Sequence, residues 1–318
     1  MIYRVGLIAT LLLGSCLWQG SVQKVWASAD ESCPSVASTA KINAPVDIKT
    51  LEEDAADGDV DAALNLAQEY TLTKDVKAAE KWYRFALYKG DGRGSLGLYD
   101  LHKSGLLKLD DAENVRQYGL NLIEEDARKG NGGSAITLGR FALYGENRPR
   151  NADEARDWFT LAEKAGKPMA SYFLGLMYSN GLDYDSLPRV AFHYFEKAAA
   201  AGIAPATRQV AIAYHTGIGA EKNLESAITC YTRSAEQGDM LAMRDLGNIY
   251  RHDRPNVALS ESWYLKAAAL GDLDSHYILG QMYQNTRPDE SRRHMESAAK
   301  LKHHLARVAV DPTYVPHE

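Results

Sequence analysis

The sequence of 318 residues has a small net charge, few cysteines and only one long apolar run. Its formal net charge of -6, with 25% charged residues, gives no long-range attraction to nucleic acid or to anionic lipid. We therefore expect no nucleic-acid partner. Beyond the N-terminus, no segment approaches the roughly 20 apolar residues that a membrane-spanning helix needs, so we predict no such helix in the mature chain.

Common catalytic signatures are also missing. The sequence contains no G-x-S-x-G, H-E-x-x-H or G-x-x-x-x-G-K-[ST] motif, and no concentration of acid, base or nucleophile residues. The G-I-G stretch at residues 217–219 follows no strand and indicates a helix-ending turn. His294, His303 and His304 are close in sequence, but the last two point in different directions on one helix. We predict no catalytic residue, cofactor or metal, and hence no enzyme.

The apolar run at the N-terminus predicts an export signal. Arg4 precedes an apolar core at residues 5–13, which is too short to span a bilayer and is typical of a signal peptide. Residues 12–16, Leu-Leu-Gly-Ser-Cys, favour removal of residues 1–15 and lipidation at Cys16, whereas Ala-Ser-Ala at residues 27–29 is typical of cleavage after residue 29. We favour lipidation. Either route predicts a periplasmic protein. With lipidation, the protein contacts the membrane only through the lipid on Cys16; with cleavage after residue 29, it has no membrane anchor.

Two of the three cysteines remain as thiols under either interpretation. Cys33 lies in a predicted linker at residues 30–49, and Cys230 lies on an apolar helical face. The periplasm allows a disulfide, but the sequence does not decide whether these two cysteines pair. We favour two unpaired thiols.

From about residue 50 the chain repeats a pattern of roughly 36 residues. Counted from a recurring glycine, position +4 is small, +8 is aliphatic, +9 is mostly glycine or alanine, and +12 is usually tyrosine. Spacings of four place +4, +8 and +12 on one side of a helix, so we predict a first helix buried along that side, with a neighbouring helix close to +9. The repeat glycines are Gly58, Gly90, Gly130, Gly166, Gly202, Gly238 and Gly271.

A second helix precedes each following glycine, as in DEARDWFTLAEKAG, and the glycine ends it in a left-handed conformation. Because one helix pair cannot bury its apolar face alone, neighbouring pairs must stack. We predict an all-α fold: an α-solenoid of about seven helix pairs over residues 50–314, with a short capping helix near Lys302 and a tail at residues 315–318.

Residues 166–181, GKPMASYFLGLMYSNG, show the pattern G-x-x-x-A-x-x-x-L-G-x-x-Y-x-x-G, which closely resembles the Sel1-like repeat family. The resemblance covers about residues 50–314 and implies a right-handed superhelix related to tetratricopeptide arrays. Cysteine-rich members of the wider family are associated with beta-lactams, but they carry paired cysteines in every repeat. Only Cys230 lies in a repeat here, so that association does not transfer.

The predicted concave face consists of side chains at +6, +10 and +13 of the first helices, which helical geometry turns away from the core. Apolar residues at +6 have an alternative interpretation as packing against the next helix, whereas arginines are harder to explain in that way. Arginine and tyrosine are enriched in protein interfaces. The predicted partner-binding residues are Arg140, Tyr172, Leu176, Arg208, Ile212, His215, Arg244, Arg251 and Tyr277.

These features predict a non-enzymatic periplasmic scaffold that binds another protein. The resemblance to exported Sel1-like proteins implies three more specific roles. We favour an immunity protein that binds and neutralises a toxic lipase effector of a type VI secretion system. The alternatives are a scaffold lipoprotein of an exopolysaccharide export complex and a periplasmic regulator of a signalling protein.

Overall fold

The computed structural model describes residues 33–34, 47–180 and 186–301, and its regular structure within those ranges is entirely α-helical. The predicted signal peptide, Cys16, the capping helix near Lys302 and the tail lie outside the described residues. The helices are α1 Ile48–Ala56, α2 Val60–Leu72, α3 Val76–Tyr88, α4 Gly92–Lys103, α5 Ala112–Arg128, α6 Gly132–Tyr144, α7 Ala152–Lys164, α8 Pro168–Asn180, α9 Pro188–Ala200, α10 Ala204–Thr216, α11 Leu224–Glu236, α12 Met240–His252, α13 Val257–Ala269, α14 Leu273–Tyr283 and α15 Pro288–Lys300.

The helices form seven pairs, from α2 and α3 to α14 and α15, and each helix packs mainly on its neighbours in sequence. We number these pairs as units one to seven. Helix α1 packs against α2 and precedes the first unit. The predicted all-α solenoid of about seven helix pairs is confirmed. Among the described residues, no helix is long and apolar enough to serve as a membrane span.

Polar side chains cap the starts of many helices, and the repeat glycines follow helix ends as the repeat pattern predicts. In α11, the Asn223 side chain accepts a hydrogen bond from the Ser226 backbone N–H at 3.1 Å, which satisfies a free donor of the first turn. After the same helix, Gly238 has a φ of 89°, in the left-handed region that glycine adopts without steric cost. All seven repeat glycines have positive φ. Six of them follow the second helices α3, α5, α7, α9, α11 and α13, as the sequence predicts, and Gly58 follows α1.

The core follows the predicted stripe on the first helices. The aliphatic residues at +8 are almost completely buried: Leu66, Leu98, Leu138, Leu174, Val210, Leu246 and Leu279. In the third, fourth and sixth units, position +9 is glycine and an aromatic ring of the same unit lies against it. A Cβ added to Gly139 would lie 2.6 Å from the Phe159 ring, and one added to Gly247 would lie 2.6 Å from the Tyr264 ring. At the four glycines of position +9, the predicted close approach is therefore a contact within the unit, and at Gly280 the neighbouring side chain is Met295.

Cys33 and Cys230 form a disulfide, with their Cα atoms 5.2 Å apart. That separation lies within the usual range for a disulfide. Both residues are buried in the cluster that includes Phe192 and Phe195 of α9. The expectation of two unpaired thiols is therefore wrong. Cys33, which lies in the predicted linker, is therefore fixed to the fifth unit.

Candidate partner-binding face

The predicted partner-binding residues lie on the first helices α6, α8, α10, α12 and α14. We call the surface formed by positions +6, +10 and +13 of these helices the A-helix face. Because consecutive first helices lie next to each other along the solenoid, a side chain at +6 can have one of two environments. It either contacts the next first helix or extends into solvent. The structure shows both arrangements.

Arg208 bridges two units instead of extending into solvent. Its Nε donates to Oδ2 of Asp245 on α12 at 2.6 Å, and the two side chains are only 18% and 19% exposed. A charge-assisted hydrogen bond in such a shielded position is stronger than an exposed ion pair. The guanidinium group therefore joins the fifth unit to the sixth.

Arg244 makes the equivalent connection one unit later. Its Nη1 donates to Oδ1 of Asp272 at 3.0 Å and also pairs with Asp274 on α14. The Asp272 side chain is 4% exposed, and its other oxygen accepts hydrogen bonds from the Ser275 backbone N–H and hydroxyl. A buried carboxylate of this kind requires such partners. The sequence argument that arginines are harder to explain by contacts with the next helix is corrected for Arg208 and Arg244, because both pair with acids of the following unit.

Tyr172, Leu176 and Ile212 are half-buried and pack against the central hydrophobic cluster. The Tyr172 ring centroid lies 6.1 Å from that of Phe195 and 5.7 Å from that of Phe173. Burial raises the pKa of Tyr172 above its ordinary value. These side chains contribute both to the core and to the surface, and they give the fourth and fifth units an apolar A-helix face.

Arg140 differs from the bridging arginines because it is exposed on α6 and pairs with no acid among the described residues. One turn later on the same helix, Tyr144 is 53% exposed. The sequence interpretation missed Tyr144, because it occupies +14 and only +6, +10 and +13 were assigned to the face. The signal available in the sequence was its spacing of four residues from Arg140, which places both side chains on one side of α6.

The remaining predicted residues lie near the ends of α10, α12 and α14. His215 Nε2 is 3.3 Å from Oδ2 of Asp253, so this histidine also connects adjacent units. Arg251 is exposed. The Tyr277 hydroxyl accepts a hydrogen bond from Gln281 Nε2 at 2.9 Å. The nine predicted residues thus lie along one series of helices, but they do not converge on a single pocket.

The Sel1 repeat profile matches residues 60–91, 135–167, 168–203, 204–239 and 241–272, which together make up more than half of the chain. The chain belongs to the Sel1 repeat family. A Sel1 repeat protein from Oxalobacter formigenes is similar in structure, with 25% identity, a TM-score of 0.60, and coverage of 84% of this chain and 80% of that one.

A second solved structure, an SLR-fold protective antigen of uropathogenic Escherichia coli, shows the same fold. It has 21% identity and a TM-score of 0.53, and the match covers 85% of this chain and 67% of that one. An immunity protein from Pseudomonas aeruginosa matches at 20% identity and a TM-score of 0.42, over 67% of this chain and 87% of its own. The last match is too distant to support a functional argument. Sel1 repeats are generally non-catalytic protein-interaction scaffolds.

A glutamate and a pair of histidines elsewhere in the Sel1 repeats have altered pKa values. The sequence interpretation predicted neither the pKa shifts nor the contact between the two histidines. Burial raises the pKa of Glu196 on α9 to about 7. His276 and His294 place their Nδ1 atoms 2.9 Å apart, and burial lowers the pKa of both imidazoles. In the ranges that the structure describes, no three His, Cys, Asp or Glu side chains are grouped as metal ligands. Neither group includes a residue of the A-helix face.

Proposed function

We propose that this Sel1 repeat protein is an exported, non-enzymatic scaffold that binds a protein partner through the A-helix face of its third and fourth units. The observation that carries the proposal is the arrangement around Arg140. This arginine is exposed and pairs with no acid among the described residues, whereas Arg208 and Arg244 are occupied as bridges. The binding surface then comprises Arg140, Tyr172 and Leu176 of the A-helix face, together with Tyr144 one turn after Arg140.

These residue types suit a protein interface. Arginine and tyrosine supply planar, partly apolar contact area together with directional hydrogen bonds, and they dominate the binding energy of many interfaces. A guanidinium group without an internal partner also retains its capacity for a bidentate bond to a carboxylate. We therefore expect the partner to present an acidic group beside an apolar patch.

The more specific role that we propose is an immunity or inhibitor protein that neutralises a toxic effector, such as a type VI secretion lipase. The support is the sequence resemblance to exported Sel1-like proteins and the small, compact repeat array. A scaffold lipoprotein of an exopolysaccharide export complex and a periplasmic signalling regulator are the alternatives. Adjacent phospholipase-like genes would favour immunity, whereas adjacent polysaccharide synthase genes would favour the export scaffold.

We also propose a periplasmic location, with a lipid on Cys16 as the membrane anchor. The disulfide between Cys33 and Cys230 supports export, because structural disulfides form and persist in oxidising compartments. Mass spectrometry of the mature N-terminus tests the anchor. A diacylglyceryl-modified cysteine at the first position is the expected result, and an unmodified chain that begins at Asp30 would contradict it.

Affinity purification from native cells with mass spectrometry tests the binding surface. The wild-type protein and the Arg189→Glu control should recover the same partner, because Arg189 is an exposed arginine on the second helix α9. Arg140→Glu should lose that partner. Equal recovery by both variants would exclude the third unit as the binding surface, and hydrolase activity in the purified protein would exclude a purely non-enzymatic role.

A further inference from the structure

The seventh unit contains two imidazoles in direct contact. His276 lies on α14 and His294 on α15, and their Nδ1 atoms are 2.9 Å apart. Their ring centroids are 5.1 Å apart, and the Tyr283 ring centroid lies 5.6 Å from that of His294. Both histidines are half-buried. The contact therefore joins the two helices of this unit at a position that is partly shielded from solvent.

The number of protons on the two rings decides whether this contact attracts or repels. A neutral imidazole has one donor and one acceptor nitrogen, whereas a protonated imidazole has two donors and no acceptor. Two Nδ1 atoms at this distance form a hydrogen bond only while one of them is an acceptor, so at least one ring must be neutral. When both rings are protonated, two cations face each other without an acceptor between them.

Helix α15 has few other contacts that could offset this repulsion. It packs mainly on α14, and its buried residues are small: Ser291 and Ala298. The Ser291 hydroxyl donates to the carbonyl oxygen of Gly280 at 2.6 Å, and the Met295 side chain lies against the same glycine. Because little apolar area is buried by these residues, the histidine contact is a large part of the attachment of α15.

Acids and bases from three neighbouring segments surround the pair and its immediate contacts. These groups are Arg244 from α12, Glu261 from α13, Asp272, Asp274 and Tyr283 from α14 and its cap, and Arg287 and Glu290 from the start of α15.

The nearby carboxylates only partly offset the charge of a protonated pair. Asp272 favours the protonated form of His276 and Glu290 that of His294. Asp272 is already paired with Arg244 at 3.0 Å, and Glu290 lies 3.5 Å from Arg287. Burial is the larger influence, and it lowers the pKa of both imidazoles. The surroundings thus accommodate a first proton better than a second.

We propose that the contact between His276 and His294 is a pH-sensitive switch, which holds α15 on α14 at neutral pH and releases α15 when both imidazoles are protonated. Its contribution is fully present above the ordinary imidazole pKa of 6.5 and is lost as the pH falls through the lowered pKa values of the folded protein. Release uncovers the side of α14 at Gly280. The first six units keep their own contacts, because each repeat packs mainly on its neighbours.

Hydrogen–deuterium exchange of the full chain, read by mass spectrometry, tests the switch. Protection of α15 peptides is compared at about pH 7.5 and about pH 5, after correction for the intrinsic pH dependence of exchange, with α12 peptides as the internal reference. We expect wild-type protection of α15 to fall by about tenfold at the lower pH, and protection of α12 to change by less than about twofold.

Glutamine variants separate the second proton from the hydrogen bond. His294→Gln retains an amide donor beside His276 but cannot be protonated, so its α15 protection should change by less than about twofold between the two pH values. His276→Gln should behave in the same way. The control His252→Gln, at an exposed histidine on α12, should lose protection of α15 as the wild type does. Equal losses in the wild type and both pair variants would overturn the inference.

A measurement on the unsubstituted protein keeps the test independent of how the variants fold. Nitrogen-15 NMR of the two imidazoles counts the protons on the pair across the same pH range. We expect the loss of α15 protection to coincide with the second protonation step. Protection that persists with both rings protonated, or that is lost while one ring is still neutral, would contradict the switch.

Discussion

The same repeat position is used in opposite ways in two parts of the A-helix face. At +6, the third and fourth units carry Ile136 and Tyr172, which are half-buried against apolar neighbours. The fifth and sixth units carry Arg208 and Arg244, which pair with acids of the following unit. At +6 the first pair of units uses packing and the second uses charge, although Lys197 and Glu163 also form an ion pair at 3.0 Å between the second helices of the third and fourth units.

This difference separates residues that stabilise the solenoid from residues that are available to a partner. Where +6 is apolar, the neighbouring arginine at +10, Arg140, has no acid to pair with among the described residues. Where +6 is arginine, its charge is used between units. A basic residue on a repeat surface is therefore not by itself a sign of binding, because the acid beside it decides its role.

The largest expected effect concerns the Cys33–Cys230 disulfide, which lies on α11 in the fifth unit, one of the two units with an arginine at +6. Cys230→Ser should lower the free energy of unfolding by about 3–5 kcal/mol, because the bond closes a very long loop in the unfolded chain. Urea denaturation of the oxidised protein measures this change. Cys33→Ser should give the same loss, and a midpoint that is equal for wild type and both variants would show that the bond contributes nothing to stability.

The next effect contrasts two arginines directly. Arg244→Ala should cost about 2–3 kcal/mol, because it leaves the buried Asp272 carboxylate without its charged partner. Arg140→Ala, the matched control on the same face, should change stability by less than about 0.5 kcal/mol. Thermal and urea unfolding should rank the two variants in this order. Similar losses in both would remove the distinction between bridging and available arginines.

A smaller effect tests the contact between the glycine at +9 and the aromatic ring of the same unit. This contact is present both in the third unit, at Gly139, and in the sixth unit, at Gly247. Gly139→Ala would place a methyl group 2.6 Å from the Phe159 ring and should cost about 1–3 kcal/mol through overpacking. Adding Phe159→Leu should recover part of that loss in a double-mutant cycle. A stabilised Gly139→Ala protein would mean that the helix adapts and that helix propensity dominates.

The smallest effect depends on pH and involves Glu196 on α9. Burial keeps its folded pKa at about 7, above the ordinary value of 4.5, so the folded protein retains a proton that the unfolded chain loses. The contribution of protonated Glu196 to the free energy of unfolding is therefore fully present below pH 4.5 and declines as the pH rises towards 7. Glu196→Gln should stabilise the protein at pH 8 by about 1 kcal/mol, allowing for solvent screening, and should have no effect at pH 4. Equal effects at the two pH values would contradict this assignment.

Periodicity predicted the parts of the fold that repeat within each unit. The aliphatic stripe at +8 and the left-handed repeat glycines follow from one helix and its ending, so the sequence alone contains them. The sequence also predicted a close approach at +9, but not which helix supplies the Phe159 ring. Packing between helices, rather than local propensity, decides that choice.

Contacts between non-equivalent positions could not be predicted in the same way. Arg208 lies at +6 but its partner Asp245 lies at +7 of the next unit, so a comparison of equivalent positions misses the ion pair. Cys33 lies outside the repeat pattern, and its pairing with Cys230 depends on the path of the chain across the whole array. These two interactions have no periodic signal, and they altered the interpretation of the surface most.

The glycine-ring contacts also bear on how such a protein gains or loses length during evolution. Gly139 and Phe159 lie in the same unit, and so do Gly175 and Phe195, so a duplicated or deleted unit retains its own internal fit. Arg208 and Asp245 lie on opposite sides of a unit boundary, and an insertion there separates them. Among the first helices, a change in repeat number is therefore least disruptive in the third and fourth units, where the side chains at +6 are apolar, although an insertion between these units would still separate Lys197 from Glu163.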